Sequence, residues 1–359
     1  MTYTTTQLPA RVLRTADHVL ASLPFLLGFQ PQCSAVLLWL RDGALILTQR
    51  IDLPQLPIPA NASSVLDEWA ISVIESASHA DSDQVLIAIF PTVMTKESGF
   101  DSSHSQDRGH IAGTPLVAAI SRALVASGKY PGAAWLVIED DYWEFDFASS
   151  DFSHARKTLD PQVVAEVHDD FVSAGWRHLV DRQEVINEFD ADPHEQQLML
   201  IAINQQKTDV NQGEAEVRRD ECINTMIDSF VIGTTDQRVL AQIITGLVDI
   251  TVRDCFLWQL THQNRLASSA ETFRIALRAT PAGLRAPLAT VTALAFWLQG
   301  DGVRASAALA QARLDNADYG LAQLLEIALT NGLPPAMWTE TMVKMSYEVC
   351  RSGVSSDLQ

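Results

Sequence analysis

The fold of this chain is decided by residues 35–51, AVLLWLRDGALILTQRI. Two apolar runs flank the tripeptide Arg41-Asp42-Gly43, and an Asp-Gly pair between such runs is a strong signal for an antiparallel β-hairpin. Parallel neighbours instead need a long crossover connection. The stretch therefore predicts a sheet that contains antiparallel strands.

Helical and strand patterns alternate after this hairpin. We expect an amphipathic helix, a buried strand, a long mobile loop, a second helix and two more strands, at residues 61–79, 85–90, 92–113, 114–128, 133–138 and 142–147. Thr114-Pro115 opens the second helix, because threonine caps helices and proline is tolerated in their first turn. The alternation predicts an α/β N-terminal domain, a mixed sheet with flanking helices.

The net charge of −19 is concentrated in the middle of the chain. Residues 139–236 carry 23 acidic and 7 basic side chains, whereas residues 1–138 carry 11 and 8 and residues 237–359 carry 10 of each. A field of this sign repels phosphate, so we expect no nucleic-acid partner. The acidic segment 139–236 is either a solvated surface or a docking face for a basic partner.

From Asp236 onward the pattern is helical throughout. The chain therefore divides into an α/β domain at residues 1–150, an acidic helical connecting segment at 151–235 and an all-α domain at 236–359. In the last domain, the turn Gln299–Gly302 is followed by Ala305 and Ala312, seven residues apart. Small residues at that spacing let two helices approach closely, and the unit resembles a tetratricopeptide repeat.

The whole chain also resembles an actinobacterial family, domain of unknown function number 4192. The resemblance rests on Leu23–Phe29 with Pro31 and Ser34, on Ala174–Glu184, and on Leu294–Leu325. Many members carry cysteines shortly after the position of Trp143, and this sequence has none there. Any metal or redox role of those cysteines is therefore not carried over to this sequence, and the resemblance brings no established activity.

Motifs for the commoner chemistries are missing from the sequence. It contains neither GxxxxGK[ST] nor GxGxxG for phosphate binding, no HExxH for zinc and no GxSxG for a serine nucleophile. We therefore expect no cofactor, no metal site and no catalytic residue. No signal peptide or membrane span is visible, and the four cysteines form no CxxC pair. We expect a soluble, cytoplasmic protein without a membrane partner.

One loop could hold a small ligand. Gly28, Phe29, Pro31 and Ser34 lie just before the hairpin, and Asp52 ends its returning strand. Ligands of α/β proteins gather at loops beyond the strand ends. The alternative, which we prefer, is that Phe29 fills the core and Asp52 caps a turn.

Our leading hypothesis is a non-enzymatic adaptor or regulatory protein. Stacked helix pairs form concave surfaces, and Trp297, Asp301 and Tyr319 are the candidate contacts to a protein or peptide partner. The alternative is a small-molecule sensor or enzyme with a pocket in the α/β domain. A structural oligomer is a third hypothesis.

Overall fold

The computed structural model describes residues 14–54, 63–91, 105–209, 215–232 and 236–352. Its internal contacts divide the chain into two compact units. Among the described residues, the α/β unit comprises residues 14–182 and Thr330–Leu333. The helical unit comprises the described residues of 183–329 and 334–352. The division falls inside the acidic segment, so its described residues up to 182 belong to the α/β unit and the later ones to the helical unit.

The α/β unit contains one seven-stranded sheet among its described residues. Its strands are β1 (Ser34–Arg41), β2 (Ala44–Asp52), β3 (Gln84–Phe90), β4 (Tyr130–Ile138), β5 (Asp141–Asp146), β6 (Asp151–Phe152) and β7 (Lys157–Thr158). Its helices are α1 (Ala16–Leu27), α2 (Ser63–Ser76), α3 (Ser105–Ala126) and α4 (Pro161–Ser173). The strand order is β2-β1-β3-β4-β5-β6, with β7 beside β5. Only β3 and β4 pair in parallel, so the predicted mixed sheet with flanking helices is confirmed.

The predicted hairpin is formed by β1 and β2. The two strands pair from Arg41 opposite Ala44 to Ser34 opposite Asp52. Asp42 and Gly43 form the connecting turn with φ of 50° and 77°. Two-residue hairpin turns with positive φ at both positions match the right-handed twist of the strands, and Asp-Gly tolerates these angles best.

Helices cover both faces of the sheet. One face carries Trp39, Ile87 and Leu136, and these side chains form a buried core with α2 and α3. On the other face, burial and the neighbouring Asp17 of α1 raise the pKa of the Tyr142 hydroxyl. Helix α1 packs in turn on α4 through several aromatic and aliphatic side chains. The unit therefore has three layers, α/β/α.

Helix α3 begins nine residues before the predicted start at Thr114. The predicted mobile loop is thus wrong from Ser105 onward, and residues 92–104 lie outside the described residues. Pro115 stands inside the helix instead of opening it. A β-carbon on Gly113 would lie 3.0 Å from Phe152 Cε2 and 3.1 Å from Leu136 Cδ1. Close packing of the glycine backbone on the sheet therefore supports a helical turn that local propensity alone disfavours.

The helical unit confirms the prediction of helices throughout the C-terminal region. Its described elements are α5 (Arg182–Asn187), α6 (Pro193–Asp209), α7 (Ala215–Ile232), α8 (Gln237–Gly246), α9 (Ile250–His262), a 3₁₀ turn (Ala267–Ser269), α10 (Ala270–Ala279), α11 (Arg285–Leu298), α12 (Gly302–Asp315), α13 (Gly320–Thr330), α14 (Ala336–Lys344) and α15 (Tyr347–Ser352). Aspartates cap several helix starts. For example, Asp192 accepts hydrogen bonds from the backbone N–H groups of His194 and Glu195.

Helix α11 is the centre of the helical unit, because its residues from Arg285 to Trp297 are buried. Arg285 is a charged residue in this core. Its guanidinium donates to the backbone carbonyls of Leu277, Thr280 and Phe189 and to the side-chain oxygen of Gln311. These bonds join α11 to α10, α12 and the end of α5.

Candidate functional site

The predicted ligand loop lies at the end of the sheet where β1 begins and where β2 and β3 end, which we call the sheet edge. Gly28 ends α1 with φ of 78°, which glycine adopts without strain. Ser34 begins β1, where it pairs with Asp52 at the end of β2 and with Phe90 at the end of β3. The sequence therefore placed Ser34 and Asp52 together correctly, on neighbouring strands.

The segment between Gly28 and Ser34 is tied to the body of the α/β unit. Phe29 is buried and forms a β-bridge with Leu179. The backbone N–H of Leu179 donates to the carbonyl of Gly28 at 2.8 Å, and the backbone N–H of Gln30 donates to the carbonyl of Leu179 at 3.2 Å. Pro31 is also buried. Phe29 thus fills a core position, as the preferred alternative expected.

Arg50 joins these residues, although the sequence reasoning missed it. Its guanidinium lies 5.7 Å from the centre of the Phe29 ring and 2.7 Å from the Asp52 carboxylate. It also donates to the carbonyl of Gln32 at 3.3 Å. Its position two residues before Asp52 is a signal that was present, because alternate residues of a strand share one face.

Ser34 and Cys33 are the unusual members of this edge. The Ser34 hydroxyl is buried, and it has no hydrogen-bond partner among the described residues. A buried polar group without a hydrogen-bond partner lowers the free energy of unfolding by about 1–3 kcal/mol. Cys33 has φ of 47°, a conformation that is strained for a residue with a side chain. Ser34 has no exposed surface, so a ligand reaches its hydroxyl only if the structure around it opens. Ligand binding here stays a prediction.

The three predicted partner contacts hold helices of the helical unit together. Trp297 is buried in α11. Asp301 caps α12 by accepting from the backbone N–H of Arg304, and it also pairs with the Arg304 side chain at 2.9 Å. Tyr319 accepts a 2.7 Å hydrogen bond from Arg253, whose guanidinium lies 5.6 Å from the ring centre. Their contact with a partner stays a prediction.

Arg304 also joins the start of α12 to the end of α5 by ion pairs. Arg304 also pairs with Glu188 of the α5 end at 2.7 Å. Burial acts to lower the pKa of Arg304, but Glu188 and Asp301 outweigh it and raise the pKa above the ordinary value. The guanidinium is thus held charged, and it fixes the start of α12 against the end of α5.

An exposed apolar surface lies on α12 and α13. Leu314 in the last turn of α12 is 81% exposed, and Leu324 and Ile327 of α13 are 66% and 58% exposed. Arg313 of α12 pairs with Glu326 of α13 at 2.6 Å, and these two residues precede Leu314 and Ile327 in the sequence. We call Leu314, Leu324 and Ile327 the α12–α13 surface.

Sequence reasoning missed the α12–α13 surface, although a signal for it was present. Helix α13 reads GLAQLLEIALT, with apolar residues around its whole circumference instead of along one stripe. Of its eleven residues only Ala322 and Leu325 are buried. A helix that is apolar on all sides and packed on one side must expose the rest.

The α/β unit carries an open groove of about 500 Å³ between the end of α3, the start of β4 and Phe147. Its walls are mainly apolar, with Val125 and Tyr130 partly exposed to solvent. Arg122 lines it as well and pairs with Asp67. Few polar groups converge there, so the groove lacks the usual character of a specific small-molecule site.

Within the parts of the chain that the structure describes, no three histidine, cysteine or acidic side chains are placed to hold a metal ion. No helix in the same ranges combines the length and the apolar character needed to cross a membrane.

Comparison with curated proteins and with solved structures finds no match. The sequence does match a protein family over residues 17–336, which include the sheet edge, the whole of α11 and the α12–α13 surface. The chain therefore belongs to the family described as Domain of unknown function (DUF4192).

Proposed function

We propose that this chain is a non-enzymatic cytoplasmic adaptor, which binds a protein or peptide partner through its helical unit. The observation that supports the proposal is the α12–α13 surface, with Leu314, Leu324 and Ile327 each more than half exposed. Exposed large apolar side chains that lie close together are a feature of protein interaction sites.

The physical argument starts from the cost of leaving large apolar side chains in water. Leu324 and Ile327 of α13 are exposed, and a partner that covers them removes their apolar surface from water. Fully burying an exposed leucine or isoleucine contributes about 1.5–3 kcal/mol. Covering the exposed fractions of both gives about 2–4 kcal/mol, which is about 30-fold to 1,000-fold in affinity.

Co-purification with matched variants tests the proposal. The full chain, the double variant Leu324→Ser/Ile327→Ser and the control Ile275→Ser are tagged and recovered from the same native cells. Ile275 is 47% exposed on α10 of the same unit, so its replacement controls for the loss of an exposed aliphatic side chain. We expect proteins that co-purify with the full chain and the control and are lost with the double variant.

Equal recovery of every co-purifying protein by the double variant would contradict the proposal. Melting temperatures measured for all three proteins show whether they are folded, and surface substitutions of this kind change stability by about 0.5 kcal/mol or less.

A second candidate function is a small-molecule sensor or enzyme whose ligand binds the α/β unit. It is favoured by the buried, unpaired hydroxyl of Ser34 beside the strained Cys33. A ligand that binds only the folded chain raises its melting temperature. The candidate predicts a rise with at least one compound of a metabolite panel and a smaller rise for Ser34→Ala. Identical rises for the two proteins would place the ligand elsewhere.

A further inference from the structure

We propose that the sheet edge binds the carboxylate group of a small molecule, with Arg50 and Ser34 as the donors to it. The proposal rests on the second candidate function, a ligand of the α/β unit, and names the chemical class of that ligand. It is independent of the α12–α13 surface.

Arg50, Ser34 and Asp52 project from one face of the sheet. Asp52 lies directly opposite Ser34, and Arg50 lies opposite Val36 on the same two strands. Directly opposite residues of an antiparallel pair share a face, and so do alternate residues of one strand. Trp39 and the core with α2 and α3 belong to the other face. The Arg50 guanidinium bends back to Asp52 at 2.7 Å, which brings it to the residue across from Ser34.

The guanidinium of Arg50 uses only part of its donor set. An arginine presents its Nε and Nη2 donors side by side, and one carboxylate can accept from both at once. Arg304 binds Glu188 in this way, with 2.7 Å from Nε and 3.4 Å from Nη2 to the two carboxylate oxygens. In Arg50, Nη2 pairs with Asp52 at 2.7 Å, whereas the buried Nε has no acceptor among the described residues. Asp52 therefore occupies one half of a two-part carboxylate site.

Ser34 adds a second buried donor. Its hydroxyl has no exposed surface, and within the described ranges it also lacks a hydrogen-bond partner. A buried donor without an acceptor destabilises the fold, so an acceptor that reaches it binds favourably. Both of these groups can donate, and one of them belongs to a cation. An anionic group with two acceptor oxygens is the matching ligand.

The surroundings favour a carboxylate over a phosphate. The guanidinium is held 5.7 Å from the centre of the Phe29 ring and 3.3 Å from the Gln32 carbonyl, so its position is fixed. Asp52 competes for the same donors, but its side chain is 73% exposed and can turn into solvent. A ligand carboxylate that replaces it restores the same planar, singly charged group. The net charge of −19 opposes a ligand group with two negative charges.

Thermal unfolding of the full chain tests the proposal, with sodium acetate, sodium benzoate and inorganic phosphate as the probes. Sodium chloride at the same ionic strength is the reference, because exposed charges are screened by salt. A ligand that binds only the folded chain raises its melting temperature, and the rise reports the affinity. The chain is used as wild type, Arg50→Lys, Ser34→Ala and Asp52→Asn.

Arg122→Lys is the matched control. Arg122 holds Asp67 through both Nε and Nη2 on the surface of the same unit, so its replacement controls for the loss of an arginine. In Arg50→Lys the charge is kept, but the pair of donors is removed. Melting temperatures without any probe show whether each variant folds.

We expect acetate or benzoate to stabilise the wild type more than chloride or phosphate does. Arg50→Lys and Ser34→Ala should each weaken carboxylate binding about tenfold or more, whereas Arg122→Lys should keep it. Asp52→Asn should bind the carboxylate about tenfold more tightly, because the competing side chain is no longer charged. A purely structural role of Asp52 would not raise the affinity, so this variant decides the question even if Arg50→Lys does not fold.

The other outcomes separate the proposal from the second candidate function. Stabilisation by phosphate that equals that by the carboxylates would refute the carboxylate class. Equal rises for the wild type, Arg50→Lys and Ser34→Ala, or a response confined to Asp52→Asn, would refute the site in the native chain, and so would no rise with acetate or benzoate. A neutral compound whose effect is smaller in Ser34→Ala would leave the second candidate function standing without the carboxylate.

Discussion

Replacing Arg285 with methionine removes the buried cation of the helical unit and keeps much of the side-chain volume. Arg285 is 6% exposed, and its guanidinium makes hydrogen bonds at 2.9–3.3 Å to the carbonyls of Leu277, Thr280 and Phe189 and to Gln311. Burial lowers the pKa of Arg285, although the charges of Asp315 and Asp190 oppose that effect. The substitution leaves the Phe189 carbonyl and the Gln311 oxygen without this donor, whereas the Thr280 carbonyl still accepts from the Gln196 side chain at 2.7 Å and the Leu277 carbonyl from the backbone N–H of Thr280 at 3.1 Å.

The expected loss of stability follows from these bonds. Hydrogen bonds to a charged group contribute about 1.5–3 kcal/mol each, but methionine avoids the cost of burying a charge. The Phe189 carbonyl and the Gln311 oxygen each cost about 1–3 kcal/mol when they lose their donor, and with the cost of burying a charge removed we take about 2–4 kcal/mol as the estimate for Arg285→Met. Because 1.4 kcal/mol is a factor of ten, amides of α11 should exchange about 30-fold to 700-fold faster with deuterium.

Hydrogen exchange followed peptide by peptide reports on α11 directly, independently of the α/β unit. Arg313→Met is the matched control, because Arg313 forms an ion pair on the surface of the same unit with its side chain 56% exposed. Such pairs contribute about 0–1 kcal/mol. Protection of α11 in Arg285→Met within tenfold of the wild type, or equal to that of Arg313→Met, would refute the structural role of Arg285.

Three further predictions concern other parts of the molecule. Gly113→Val should lower the stability of the α/β unit by about 1–3 kcal/mol in urea unfolding, because a β-carbon there meets an aromatic ring at 3.0 Å; unchanged stability would contradict the close packing of α3. Cys33 is exposed and should react at once with a thiol reagent at pH 8, whereas burial raises the pKa of Cys255 to about 11 and should delay its reaction until unfolding. Burial acts to raise the pKa of Asp249, but its arginine partner and the backbone N–H groups that it caps lower the pKa below the ordinary value of 3.8. At pH values above 3.8 the carboxylate therefore stabilises the fold, and this stabilisation is lost as the pH falls through the folded-state pKa. Asp249→Asn should reduce the acid sensitivity of unfolding, and an unchanged profile of stability against pH would contradict this.

Local features of the fold could be predicted from the sequence. The β1–β2 hairpin depends on two turn residues and on the apolar runs beside them, all within one short stretch. Helix starts at Asp160, Asp192 and Asp236 depend on a carboxylate that accepts from backbone N–H groups two or three residues later. Such interactions are short in sequence separation, so the residues that decide them are visible together.

Features that depend on distant contacts could not be predicted in the same way. The early start of α3 relies on the fit of Gly113 against Phe152, and that fit is absent from any local pattern. The role of Arg285 rests on Phe189, which is 96 residues away. The exposure of Leu324 depends on which side of α13 the rest of the unit covers. The sequence identified α13 as a helix, but its packed side is a property of the tertiary structure.

The central claim is that the α12–α13 surface contacts a partner, and site-specific photo-crosslinking in living cells tests it most directly. A benzophenone amino acid is placed at position 324 in one protein and at position 275, which is exposed on α10, in another. Irradiation should join the first protein to a discrete partner and leave the second without that product. No product at 324, or the same products at both positions, would contradict the claim.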